Sequence, residues 1–399
     1  KFRGRLLAAM CLPDLRGTQG TFTVLAAPGY HTGGLAGGER RTLSPDGGGG
    51  WIGRLPGPDH PDGSGPVEMT VACRVDAAAK RAEITVGRER VSLGDRETSD
   101  WLRLPFPVGR ATAHGIARLW VVSWDPFALY VTPINIDPRK PAMPISQPPH
   151  YAMMLGRVHG PFATLGLAED TWALNERVLD EDAFLEQVWD IHAERETQWF
   201  HALDRQRTGV VVSVFDATDR LQHTFLRFHD GGDHPANRGA DVARHRDVIR
   251  DLYRRSDDLV GRTLARLHDD DVLLVMSDHG FKPFRRAVNL NAWFREHGYL
   301  RLEGDPDEGP LPELNGDAVS ATRIDWSRTR AYANGLAGFY LNVAGRERRG
   351  VVPAAEAVAL RDELMDRLRG LPDPVGGEAI GEVWASAEVY RGPYRDEAP

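Results

Sequence analysis

Cysteine is nearly absent: Cys11 and Cys73 are the only two in 399 residues. Two thiols cannot build the disulfide framework of a small secreted module, and two unpaired thiols are expected. Lysine is almost as scarce. It stands only at 1, 80, 140 and 282, so nearly all of the 49 basic charges are arginine. Against 57 acidic residues this leaves a net charge of −8. That balance argues against a general binder of nucleic-acid polymers and leaves room only for local basic patches. No apolar run approaches the roughly 20 residues needed to cross a bilayer. No transmembrane segment and no signal peptide are visible, so a soluble protein is expected, with the cytoplasm favoured. No histidine follows His297, and the first residue is Lys1, not Met.

What is present is an ordinary globular composition, 41% hydrophobic and 27% charged. The length suffices for two or three domains with their own cores. Residues 1 to about 60 are rich in Gly and Pro and read as loops. From 67 the texture alternates: "VEMTVACRV" and "RAEITVGRERVSL" read as half-buried strands, and "ARLWVVSW" and "ALYVTPINI" continue the β pattern. Residues 17–150 are therefore expected to form a β-rich module without helices.

After "PRKPAMPISQPP" the period changes. In "DEDAFLEQVWDIHAERETQWFHALDR" Phe184, Leu185, Val188, Ile191, Trp199, Phe200 and Leu203 recur at helical spacing. "TGVVVSVFDATD" and "DVLLVMSDHG" read as strands buried in a parallel sheet. "ADVARHRDVIRDLYRRSDDLVGRTLARL", between them, reads as one long helix. A short helix at "LNAWFREHGYL", a strand or hairpin at "TRAYANGLAGFYLNVAG" and an amphipathic helix at "PAAEAVALRDELMDRLRGL" follow, the last with Pro353 near its start. The expected class is α/β, with ligand-capable residues at the carboxyl ends of neighbouring strands, where open α/β sheets form their sites.

The first buried run ends at Asp216, with Asp219 and His223 just beyond. Asp219 and His223 are four apart and share a face of any helical turn. The second ends in Asp278 and His279. Carboxylate and imidazole together suit zinc, or manganese. Each pair alone is weak, because a strand-ending Asp often only caps the next helix. Both pairs, each after a buried run and separated by one helix, point to two metals roughly 4 Å apart, clamping the oxygens of a phosphoryl transfer.

With these residues in view, "VFDATDRLQHTFLRF" and "VLLVMSDHGFKPFRRAVNLNAWFREHGYL" resemble the alkaline phosphatase superfamily. The nearest branch is the type I phosphodiesterase and nucleotide pyrophosphatase group of bacteria and archaea. "CLPDLRGTQGTFTVL", "FATLGLAEDTWALNERVLDEDAFLEQV", "TRAYANGLAGFYLNVAGRERRGVV" and "VYRGPYRDEAP" are similar to segments of that group, and residues 30–150 carry the least resemblance. The resemblance implies an alkaline-phosphatase-like, mostly parallel sheet flanked by helices, with the β-rich module inserted. Residues 1–16 and 151–399 would then be core, the latter incomplete at its C-terminus, and 17–150 insert or cap. It also implies a two-step hydrolysis of small-molecule phosphoesters through a covalent phospho-enzyme. Asp219 and His223 would hold one divalent ion, Asp278 and His279 the other, zinc or else manganese.

The family pattern also needs an N-terminal Asp, a nucleophilic Thr or Ser and a further His. None has a counterpart here, so the chain reads as a fragment without its nucleophile, itself inactive. Phosphonate hydrolysis, sulfate-ester hydrolysis or a phosphoglycerate-mutase-type transfer is the alternative within the superfamily. A non-catalytic binding module is the alternative outside it.

Other conspicuous residues have plainer readings. Lys282, Arg285 and Arg286 could meet a substrate phosphate or form a solvated basic loop. His229, Asp230, Asp233 and His234 read as a solvated turn. Asn289 and Asn291 are candidate caps for the next helix, and His297 sits at its end. His159, His192 and His201 read as structural or exposed. Trp120 and Trp124 share a strand face by parity, giving core packing or an aromatic platform for a sugar.

Overall fold

The computed structural model describes residues 3–8, 10, 12–31, 35–229, 234–237, 239–306, 323–335 and 338–395. Asp230 and Asp233, and Cys11, lie outside these. The chain forms two compact units, residues 1–283 and 284–399.

The first unit begins with antiparallel β structure. Strands Ser44–Pro45, Trp51–Asp59, Pro66–Asp76, Arg81–Val86 and Glu89–Leu93 follow one another across a five-stranded meander. A second sheet orders Leu119–Trp124, Phe127–Val131, Phe22–Ala26 and Gly38–Thr42. A third joins Leu102–Val108 to Ala111–Ala117 and Asn135–Ile136. Alternation drives this arrangement. In Pro66–Asp76 the inward Met69, Val71 and Cys73 enter a core shared with Leu25, Leu55, Ile84, Leu104 and Phe106. Cys73 is a free, buried thiol whose pKa burial pushes up to about 12, which makes it inert.

Helices α1 (His150–Val158), α2 (Thr171–Asn175), α3 (Glu181–Leu203) and α4 (Ala217–His229) follow. Asp180 caps α3 by accepting from the Ala183 amide at 2.9 Å. The predicted apolar stripe of α3 splits. Phe184, Val188 and Ile191 are buried, while Trp199, Phe200 and Leu203 are half-buried. Phe184 and Val188 pack with Leu221, Phe225, Phe228, Ile249 and Leu252 in a helical core.

In the second unit the expected hairpin is present, Ala331–Ala333 against Phe339–Leu341. Two of its helices, Leu290–Glu296 and Ala354–Leu368, match the periodic segments. Asn289 caps the first through the Ala292 amide at 3.0 Å, whereas Asn291 instead accepts from and donates to the backbone of Ala333. His297 closes the same helix, its Nδ1 donating to the Trp293 carbonyl at 2.8 Å.

Five expectations fail, each for a physical reason. Residues 210–215 and 272–276 are not strands. No strand lies beside them among the described residues, and an extended segment without lateral partners forms no ladder. Val210, Val212, Val272, Leu274 and Met276 are consequently more than three-quarters exposed. The sheets are accordingly not mostly parallel: among described strands only Phe22–Ala26 and Gly38–Thr42 pair in parallel. The stretch expected as one helix from 240 to 267 is two, α5 (Val242–His245) and α6 (Val248–Leu264). Asp241 caps the first by accepting from the Arg244 amide, and a second helix starts after Asp247, whose carboxylate pairs with Arg250. "RAEITVGRERVSL" is a hairpin, not one strand, because Gly87 at φ +60° turns the chain. Finally, a bulge between Val121 and Ser123 shifts the side-chain parity of Leu119–Trp124. Trp120 enters the core around Phe22 and Tyr130, and Trp124 packs on the opposite one, so they form no shared platform.

Asp170 ties the sheets to the helices. It caps α2 through the Ala173 amide at 2.9 Å and accepts from the Tyr130 hydroxyl at 2.7 Å. Burial raises its pKa to about 6, outweighing these hydrogen bonds. An acid whose folded pKa is raised contributes stability fully present below its unfolded value near 3.8, and that contribution is lost as pH rises through 6. Asp170→Asn, which keeps both bonds within reach, is therefore expected to exceed the wild type at pH 8 by on the order of 2 kcal/mol, with the gap closing toward pH 4. Urea denaturation across that range measures it, and a gap that widens on acidification contradicts it. The amides of 210–215 and 272–276 are expected to exchange with deuterium within seconds, and slow exchange there would show that they are paired.

Candidate functional site

The site is built on α4 of the first unit. Its buried residues are Ala217, Leu221, Phe225 and Phe228, one face of the helix packed into the helical core. Asp219 and His223 lie about half a turn away, so burying the apolar stripe turns both toward solvent. The helix start is fixed by the Asp216 carbonyl, which accepts from the amides of Asp219 and Arg220, both at 3.0 Å. Thr218 adds a bond to the Phe215 carbonyl at 3.1 Å.

The Asp219 carboxylate is divided. Oδ2 accepts from Arg220 Nη1 at 2.9 Å. Oδ1 lies 3.3 Å from His223 Nε2 and 3.8 Å from His279 Nε2. The segment that carries His279 is a tight loop. The Ser277 hydroxyl donates to the His279 carbonyl at 2.5 Å, and the His279 amide donates to Asp278 Oδ1 at 3.1 Å. His279 Nδ1 lies 3.1 Å from the Gly280 carbonyl. A carbonyl only accepts, so Nδ1 is the donor in this contact, and in the neutral ring the lone pair then lies on Nε2, the atom facing Asp219. Asp278 Oδ2 lies 3.6 Å from the same Nε2.

Four of the residues singled out from the sequence thus come together: Asp219, His223, Asp278 and His279. Phe281, which the sequence reading passed over, joins them. Its ring lies edge-on to His223 at 4.8 Å and tilted against His279 at 5.1 Å. Its position directly after the "SDHG" turn was the available signal.

Beneath the rim lies a buried charged group, also missed. The Glu169 carboxylate faces Arg220 Nε at 3.7 Å, and the Glu169 side chain is 2% exposed. Burial, reinforced by Asp216, pushes the Glu169 pKa up to about 6, against the pull of Arg195 and Arg220. Burial likewise raises Asp216, which Arg195 and Arg220 counteract. Glu169 stands 50 residues before Asp219, and no spacing rule connects them.

The donor chemistry suits a divalent ion, and the closure is partial. With ligands at about 2.1 Å in a tetrahedral shell, donor atoms lie roughly 3.4 Å apart. The 3.3 Å and 3.8 Å separations around Asp219 Oδ1 fit that spacing pair by pair. Among the described residues, no group of three or more His, Cys, Asp or Glu side chains is arranged to hold an ion. The side chains of His223 and His279 are 58% and 50% exposed and that of Asp278 90%, so all three are open to rearrangement around one.

Of the other expected residues, Lys282 is exposed at the end of the same unit. Arg285 is exposed in the second unit, where Arg286 pairs with Asp373 at 2.8 Å. His192 and His201 are buried, and His201 bonds His159 at 2.6 Å, in keeping with structural roles.

The family model for type I phosphodiesterase / nucleotide pyrophosphatase matches residues 145–395, the larger part of the chain. No significant match was found among curated proteins or among solved structures.

Proposed function

Because the chain belongs to the type I phosphodiesterase/nucleotide pyrophosphatase family, within the alkaline phosphatase superfamily, we propose that it serves metal-dependent hydrolysis of small-molecule phosphoesters. The observation that carries the site assignment is the meeting of His223 and His279 on one oxygen of Asp219, with Asp278 beside them. Family membership supplies the reaction class, and these four residues supply ligands of the right kind.

Asp219 and His223 would hold one ion, and Asp278 and His279 the other. Two divalent ions, zinc or manganese, would polarise the phosphoryl oxygens and activate the attacking one. The protein's own part is to present the donors. Arg220 occupies Oδ2 of Asp219 and leaves Oδ1 as its coordinating atom. The Gly280 carbonyl fixes the His279 proton on Nδ1, which keeps Nε2 free for a ligand bond. Phe281 packs against both imidazoles on one side of the rim. We assign Lys282, three residues beyond His279, to a substrate phosphate oxygen. No residue of this chain is assigned as the attacking group.

Dialysis against zinc or manganese followed by elemental analysis tests the site. Bound metal is expected in the wild type, with Asp219→Ala and Asp278→Ala each lowering affinity at least tenfold. Hydrolysis of an aryl phosphodiester, measured on a length of the protein that supplies the attacking group, is expected to require the metal and to be abolished by Asp278→Ala. Metal retention equal to the wild type in both variants, or unchanged hydrolysis in Asp278→Ala, removes the assignment.

A further inference from the structure

A groove of about 910 Å3 opens on the β-rich part of the first unit. That lies near the top of the size range of small-molecule sites, roughly 300–1,000 Å3. Its basic residues come from separate elements. Arg88 sits in the hairpin turn before strand Glu89–Leu93, Arg103 on strand Leu102–Val108, Lys140 in the following connection and Arg157 on α1. All four side chains are exposed, and among the described residues none has a carboxylate partner.

Several other arginines of the unit are paired with carboxylates. Arg96 pairs with Asp180 and Asp182, Arg118 with Asp190 and Glu194, and Arg227 with Glu181. In a chain of net charge −8, carboxylates are plentiful, yet the groove has few. Asp137, one of its two lining acids, is consumed by Arg139, which donates to both its oxygens at 2.9 and 3.0 Å. Only Glu89 remains against four unpaired cations. His114 adds no charge at neutral pH, since burial and Lys140 hold its pKa below the usual value. Like charges gathered in a concavity repel one another, and a bound anion relieves that cost.

The shape of the charge indicates the ligand. Three guanidiniums and an ammonium, approaching from different elements, suit an anion with more than one charge. Guanidinium forks match phosphate oxygens bidentately. The groove also has an apolar wall, with Met143, Pro144 and Met153 along it and Met143 43% exposed. Such a wall is idle for inorganic phosphate and useful for an ester.

We propose that this groove binds a phosphate ester with an apolar body, at a site distinct from the metal-ligand residues of α4 and the Asp278–His279 turn. The ligand binds with its phosphate among Arg88, Arg103, Lys140 and Arg157 and its apolar part on the methionines.

Two probes separate a soluble ester from a lipid headgroup. Adenosine 5′-monophosphate is titrated calorimetrically, and phosphatidylcholine vesicles containing phosphatidic acid are tested by cosedimentation. Both are measured in EDTA, so that no metal-bound phosphate contributes. The wild type is expected to bind one of them, and Arg103→Glu/Arg157→Glu to bind it at least tenfold more weakly. Arg88→Glu/Lys140→Glu, on other elements, repeats the test should the first pair disturb folding. Arg110→Glu, an exposed residue outside the groove, is expected to bind like the wild type. Binding of neither probe, binding undiminished in both double variants, or inorganic phosphate binding as tightly as the nucleotide overturns the proposal.

Discussion

The candidate site depends on how one carboxylate is shared. Asp219 gives one oxygen to Arg220 and leaves the other between two imidazoles. Without the arginine, that carboxylate could swing away from the rim or present both oxygens to the same partner. With it, a single oxygen points where His223 and His279 meet. The arginine brings a positive charge close to the proposed metal ligands, which would be unfavourable alone. The Glu169 carboxylate behind it offsets that charge, and burial keeps the pair close.

Packing sets this geometry from below. Leu221, Phe225 and Phe228 bury one face of α4 against α3 and α6, so the rotation of the helix about its axis is fixed by apolar contacts. A rotation of one residue, about 100°, would turn Asp219 from the rim and expose a phenylalanine. The proposed ligand residues are left accessible, which would lower the desolvation cost of gathering them round an ion. The β-rich part is organised differently, by antiparallel ladders over a separate core, and it presents charge of the opposite sign in its groove.

What the sequence made legible is what depends on near neighbours. The alternation of Pro66–Asp76, the stripe of α3, the hairpin at Ala331–Leu341 and the cap at Asn289 all follow from local period or local chemistry. The two pairs proposed as metal ligands stood out for the same reason, each being a short motif. What was not legible depends on lateral or distant partners. The apolar runs ending at Phe215 and Met276 have strand composition, but composition cannot supply the strand that must lie beside them. One extra residue at Val122 reversed the parity linking Trp120 to Trp124. Glu169 reaches Arg220 across 51 positions, through an arrangement of helices that no spacing rule encodes.

The central claim is that Asp219, His223, Asp278 and His279 are metal ligands, and X-ray absorption at the zinc edge of the zinc-loaded protein addresses it most directly. The account predicts a mixed nitrogen and oxygen shell at about 2.0–2.2 Å with the outer-shell scattering of imidazole, lost when His223 and His279 are both replaced. A shell of oxygen alone, with no imidazole signal in the wild type, would contradict it.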